Sequence, residues 1–224
     1  MGRQNSLSPL PMMARITSIE PQKRRPRRRS VFVDGEFAAG VDQEVVLALG
    51  LRVGHEVDEK RLREMLRAEE VRKAREDALM LLGYRARSVR ELERRLKQKG
   101  YEEDIVEEVL TGLERADLLN DERFASDWVR SRTAARPMGR ARLSWELRQK
   151  GVQKEKVEDA LEDIDEEREF EMALELARSK ANRSPGVDVF AERRRLAGLL
   201  GRRGFGWEIV SRVLNEVLPE HEES

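Results

Sequence analysis

Cysteine is absent from the 224 residues. That removes disulfides, thiolate metal sites and cysteine nucleophiles together, and it suits a reducing cytoplasm, where we expect the protein to work. Histidine occurs only at His55 and His221, far apart and in unlike contexts. No apolar run approaches the ~20 residues of a membrane span, and residues 1–15 lack the apolar stretch of a secretory signal, so no membrane partner is expected. Phosphate-loop glycines are missing. Gly204-Phe205-Gly206 lacks the third glycine and the preceding strand of a dinucleotide site. The acid run Glu162, Asp163, Asp165, Glu166, Glu167 lacks the spacing of a calcium loop and reads as a solvated helix face. We therefore expect no enzyme, no cofactor, no metal ligands and no catalytic residues.

Aromatic residues are scarce, at 5%, whereas charged residues reach 39%. Such a chain builds amphipathic helices with thin apolar stripes more readily than a thick β-sandwich. Apolar residues still make up 39%, enough for ordered cores. The formal net charge of +0 hides segregation. Residues 1–30 hold eight bases and one acid, Glu20, whereas residues 31–77 hold eight bases and twelve acids.

Residues 1–14 have no periodicity and read as a disordered tail. Ile16–Glu20 is a strand candidate, and Val31-Phe32-Val33 and Glu36-Phe37-Ala38 flank Asp34-Gly35, a type I′ hairpin pattern in which both turn residues need positive φ. A three-stranded unit is expected, with the basic run Lys23, Arg24, Arg25, Arg27, Arg28, Arg29 as its first loop. A short helix at 43–49 should end at Gly50, and Asp58 should cap a long charged helix.

Three glycines then mark a repeat: Gly100, Gly151 and Gly204, 51 and 53 residues apart. Leucines precede each by four residues (Leu96, Leu147, Leu200) and by eight (Leu92, Leu143, Leu196). Apolar residues follow at six and ten: Val106 and Leu110, Val157 and Leu161, Val210 and Leu214. A period near 50 with matched core positions indicates a repeated supersecondary unit, read here as three helices whose second ends at the glycine. First helices carry Ala78-Leu81-Leu82, Phe124-Trp128-Val129 and Phe170-Ala173-Leu174-Ala177. Ser88 with Glu91 forms a capping box. Ser184-Pro185-Gly186 marks a turn in the third unit. The second helices are basic, with seven bases to two acids over 85–99 and five to one over both 136–150 and 190–203. The third helices of the first two units are acidic. The expected division is a tail at 1–14, a β unit at 15–57, a linking helix and first repeat at 58–118, a second repeat at 119–167, a third at 168–218 and a tail at 219–224.

At these residues the sequence resembles the RecX family, regulators of the RecA recombinase. The carrying segments are Ser88-Val89-Arg90-Glu91-Leu92 with Leu96 and Lys99-Gly100, then Leu119-Asn120-Asp121-Glu122-Arg123-Phe124-Ala125, then Gly139 with Glu146-Leu147 and Lys150-Gly151, and Arg203-Gly204-Phe205. The unit from Ile16 to Asp58 is similar to the N-terminal extension of some members. The resemblance implies a mainly α fold of three tandem three-helix repeats in an elongated curved array, preceded by the small β unit. It also implies binding in the groove of the RecA filament on single-stranded DNA, with inhibition of RecA's ATP hydrolysis, strand exchange and coprotease roles.

The candidate contacts are the basic residues of the second helices. Arg90, Arg94 and Lys97 share one helix face. Arg140, Arg142 and Arg148 serve the second repeat, and Arg194, Arg195, Arg202 and Arg203 the third. Trp145 lies off the Leu143–Leu147 stripe between two arginines and is a further partner contact, whereas Trp128 shares a face with Phe124 and reads as core. Trp207 follows a helix end and fits either role. Arg24, Arg25, Arg27, Arg28 and Arg29 are candidates for DNA phosphates, single-stranded first and double-stranded as a further candidate. A monomer is expected. Other readings stay open. Each basic helix could pair with its own acidic neighbour and imply nothing external. A helix-turn-helix DNA reader would place an acidic third helix against phosphates, which repel it. A passive helical adaptor is the remaining alternative.

Overall fold

The computed structural model describes residues 13–181 and 188–219. The Ser184–Pro185–Gly186 turn, His221 and residues 1–12 lie outside them. The order is β1 (Met13–Gln22), β2 (Arg25–Val33), β3 (Glu36–Asp42), α1 (Gln43–Ala48), β4 (Glu56–Asp58), α2 (Glu59–Tyr84), α3 (Val89–Lys99), α4 (Glu103–Arg115), α5 (Asp121–Ala135), α6 (Arg140–Gln149), α7 (Lys154–Ala160), α8 (Glu166–Lys180), α9 (Val189–Arg202) and α10 (Trp207–Val217). The chain divides into two compact units. The first comprises residues 1–85 and 92–116, the second residues 86–91 and 117–224, so α3 gives its first turn to the second unit.

In the first unit an antiparallel sheet runs β3-β2-β1-β4. Asp34 (φ 48°) and Gly35 (φ 86°) form the hairpin turn that the Asp-Gly pair predicts. One expectation is corrected and the expected small sheet is extended. The basic run is not a loop: only Lys23 and Arg24 turn, and Arg25 to Arg29 belong to β2, paired with β1 and β3. The sheet also has a fourth strand, because Met13 and Ala14, expected in the tail, pair with Asp58 and Val57. Period-2 alternation turns Ala14, Ile16, Val31, Val33 and Val41 onto Val45, Val46, Leu62 and Leu66 as one core. Asp58 accepts from Arg61 N (2.9 Å) and starts α2.

All three repeat glycines adopt positive φ: 104° at Gly100, 83° at Gly151 and 85° at Gly204. Each closes its helix in the same way. The residue after the glycine, Tyr101, Val152 or Phe205, donates to the carbonyl of Leu96, Leu147 or Leu200 (3.2–3.3 Å) and is itself buried. This is the helix-terminating pattern that a left-handed residue permits.

The same glycines are docking points. Within the second unit, Gly139 N donates to the Arg203 carbonyl (2.9 Å), and a Cβ on Gly139 would overlap Gly204. One repeat earlier, the buried Ser88 hydroxyl donates to the Lys150 carbonyl while accepting from Glu91 N (3.1 Å), and the stem of Arg90 covers Gly151. Within the first unit, Arg25 Nη1 donates to the Gly100 carbonyl (3.1 Å), and the stems of Arg25 and Arg28 occupy the space of a Cβ. Within each unit, the end of a second helix is thus met by an element from earlier in the chain.

Candidate functional site

Helical periodicity turns Leu92 and Leu96, Leu143 and Leu147, and Leu196 and Leu200 fully inward, which leaves the arginines of α3, α6 and α9 on the remaining faces. Their surroundings differ. Arg94, Arg194 and Arg202 are exposed, Arg203 is half-buried, and none of the four forms an ion pair with a described carboxylate. Lys97 pairs with Glu93 (2.9 Å) and Glu103 (2.7 Å). Arg195 pairs with Glu192 (2.7 Å) and donates to the Lys180 carbonyl (2.6 Å). Arg142 pairs with Glu146 (3.1 Å), and Arg148 donates to Ser144 Oγ (2.8 Å). Arg90 packs on Gly151. Arg140 serves the fold: its guanidinium donates to the carbonyls of Leu161 and Ile164 and closes the short α7, while its backbone N–H donates to Glu169 (3.0 Å).

Trp145 is 50% exposed with the Arg142 guanidinium 4.7 Å from its ring centre. Trp207 is 73% exposed. Trp128 is half-buried and stacks on Phe124 (6.0 Å), with Arg132 at 4.2 Å and Lys150 at 4.1 Å from its ring centre. Glu146 receives the Trp128 indole N–H (3.2 Å), so it organises this cluster. The sequence shows Glu146 only as part of a segment that carries the family resemblance, not as the centre of this cluster, because its partners lie on α5 as well as on its own helix.

The strand alternates. Arg28 turns inward, 2% exposed, and pairs with the buried Glu70 (3.0 Å) while donating to the Gly40 carbonyl. There it holds β2 and β3 to α2 and faces no solvent, because a strand must bury every second side chain on its core side. Arg25 is tied to Gly100, and Arg29 donates to Gln43 (2.6 Å) and to the Pro26 carbonyl (2.8 Å). Arg24 and Arg27 remain exposed and form no ion pair with a described carboxylate.

Three carboxylates carry the cost of this packing. Burial raises the pKa of Glu70 against the opposing pull of Arg28. Burial also raises Asp121, which accepts Val89 N (2.9 Å), and Glu169 beneath Arg140 N. Tyr101 is raised by burial and by its bond to Asp77 (2.7 Å), which also pairs with Lys99 (3.0 Å). These groups join elements of one unit. Among the described residues, no helix is long and apolar enough to cross a membrane.

Four family models match the chain: the regulatory protein RecX N-terminal domain over residues 14–58, and the RecX first, second and third three-helix domains over 74–113, 120–161 and 166–214. Among curated proteins, the chain is 31% identical over 206 residues to the regulatory protein RecX of Clostridioides difficile (strain 630), covering 92% of this chain and 97% of that protein. It is 39% identical over 153 residues to that of Amycolatopsis mediterranei (strain U-32), covering 68% and 87%. A crystal structure of regulatory protein RecX superposes with a TM-score of 0.63 at 28% identity, over 89% of this chain and 98% of that one. A crystal structure of RecX from Lactobacillus salivarius gives 0.62 at 27%, over 67% and 97%. The matched domains fall in the same order as the β unit and the three glycine-closed repeats, and the chain belongs to the RecX family of regulatory proteins.

Proposed function

We propose that this protein regulates the RecA recombinase by binding as a monomer in the groove of the RecA filament on single-stranded DNA, in the cytoplasm, without chemistry of its own. Binding there inhibits RecA's ATP hydrolysis, strand exchange and coprotease roles by bridging neighbouring protomers and slowing their motion. The observation that carries the reading, beyond family membership, is the set of second-helix arginines with no carboxylate partner among the described residues. Arg94, Arg194, Arg202 and Arg203 keep their charge available for an acidic protein surface or a phosphate backbone. Trp145, half exposed beneath Arg142, supplies a flat anchor beside them. Arg24 and Arg27 are the proposed DNA contacts of the β unit. Arg25 and Arg29 contribute less, being engaged already, and Arg28 contributes only by holding the strand. The tail, β unit and three repeats read from the sequence are the proposed working parts.

The test is the ATPase rate of RecA on single-stranded DNA as this protein is titrated in, with a DNA-binding titration at the same salt. Inhibition well below the concentrations that coat bare DNA is the expected outcome. Inhibition only where the protein saturates the DNA would leave a nucleic-acid-binding protein, and none at all would leave an adaptor.

A further inference from the structure

We infer that Glu146 is a positioning residue of the second repeat. It holds Arg142 by one nitrogen, so that the rest of the guanidinium and the Trp145 ring meet an acidic partner surface as one unit. This rests on the reading above, in which Trp145 and the second-helix arginines contact RecA.

Helical spacing gives Arg142 two neighbours on α6, Trp145 three residues on and Glu146 four. An exposed pair at that spacing, such as Lys154–Glu158 with side chains 73% and 59% exposed, is screened by solvent and holds neither partner firmly. Glu146 differs. Its side chain is 11% exposed, and its two oxygens are divided between partners. Oε2 accepts the Trp128 indole N–H (3.2 Å) and lies 3.1 Å from Arg132 Nε. Trp128 stacks in turn on Phe124, a core residue. Oε1 is left for Arg142 Nε (3.1 Å). The carboxylate is thus aimed outward by groups anchored in the core. The base of Arg142 is fixed separately: its N–H donates to the Gly139 carbonyl (3.1 Å), and its Cβ lies 2.3 Å from where a Cβ on Gly204 would stand.

This anchoring sets the direction of the guanidinium. Held at Nε, it sits 4.7 Å from the centre of the Trp145 ring. Its two terminal nitrogens make no hydrogen bond with a described residue, and the side chain is 44% exposed. An open fork of this kind donates two parallel bonds to one carboxylate. Trp145 offers an apolar ring beside it, so the pair fits an aspartate or glutamate flanked by an apolar side chain. Because Arg142 is already ordered, binding costs little further rotamer entropy. A lysine at 142 would carry a single nitrogen, which cannot both be held by Glu146 and present a planar fork.

The experiment has two arms, both on the full chain. In the protein alone, NMR reads the ring-current shift that Trp145 imposes on the Arg142 side-chain protons, with Trp145→Leu as the baseline. Glu146→Gln has one oxygen where Glu146 uses two, so the shift should collapse toward that baseline. An unchanged shift would show that Arg142 keeps its place without the carboxylate and would end the inference. In the RecA ATPase titration, Glu146→Gln, Arg142→Lys and Arg142→Ala should each raise the inhibitory midpoint by about tenfold. The double variant Glu146→Gln/Arg142→Ala should raise it no further, because both changes remove the same oriented fork. A carboxylate that serves only the fold would instead give losses that multiply, and that result would equally overturn the inference. Arg142→Lys, a change at an exposed side chain, keeps this arm decisive if a Glu146 variant fails to fold: full inhibition by it would sink the oriented fork. No inhibition by the unaltered protein would remove the RecA reading itself, and the NMR arm would still decide what holds Arg142.

Discussion

A strand sends alternate side chains to opposite faces, and in β2 this places Arg28 against Glu70 while Arg27 stays in solvent. Removing one partner of a buried pair strands the other, so Arg28→Ala should cost about 3–5 kcal/mol in chemical denaturation. Arg27→Ala should change stability by less than about 0.5 kcal/mol, and it should lower the salt slope of DNA binding by about one. If Arg27→Ala left that slope untouched, the β unit would not contact DNA through this residue. Asp121 makes a second residue-level case. Its folded pKa is raised, so between the unfolded value and the folded one the unfolded chain has released a proton that the folded chain keeps. Its contribution to stability therefore falls as pH rises through that window. Asp121→Asn can still accept from Val89 N. It should remove this pH dependence and change stability near neutrality by less than about 1 kcal/mol, whereas Asp121→Ala, leaving the N–H unpaired, should cost about 1–3 kcal/mol. Thermal melts from pH 4 to 8, on the order of the window that matters for a raised aspartate, separate the two.

Among the elements, glycines sort by what surrounds them. Gly201 lies in α9 with open space around its missing Cβ, and Gly201→Ala should stabilise by about 0.5–1 kcal/mol. Gly139→Ala should destabilise, since its Cβ would meet the Gly204 backbone, which no flexible side chain can relieve. Opposite shifts in unfolding midpoint are the expected result, and matching shifts would mean that the joint relaxes. The glycine closures, the Asp34–Gly35 hairpin and the Asp58 and Ser88 caps were legible because each depends on residues within a turn of one another. The strand character of Arg25–Arg29 was not legible. Arginine and proline compose a loop locally, and only pairing with β1 and β3 makes these residues a ladder. Three-residue β4 was too short to show periodicity. The basic faces were legible as charge, but not the division of labour within them. Arg140 reads like Arg148 until the carbonyls of Leu161 and Ile164, more than twenty residues away, come to lie beside it.

For the whole molecule, a formal net charge of +0 means that no bulk attraction draws it to DNA or to an acidic protein, so binding must come from local clusters. Replacing Arg94, Arg194 and Arg202 together by alanine should therefore shift the midpoint of RecA ATPase inhibition by about tenfold or more. Unfolding should stay within about 1 kcal/mol, since these side chains make no ion pair with a described carboxylate. Full inhibition by the triple variant would move the contact to Trp145 or to the β unit. The repeat joints bear on this as well. At Gly139 the bond runs from backbone N–H to backbone carbonyl, and at Ser88 the acceptor is again a main-chain oxygen. Both joints end on a main-chain acceptor, so neither depends on which outward side chain the accepting residue carries. Mutation can then rewrite the outward chemistry of each repeat over evolutionary time while the order of stacking is inherited unchanged, so that relatives with the same scaffold are free to recognise differently charged surfaces.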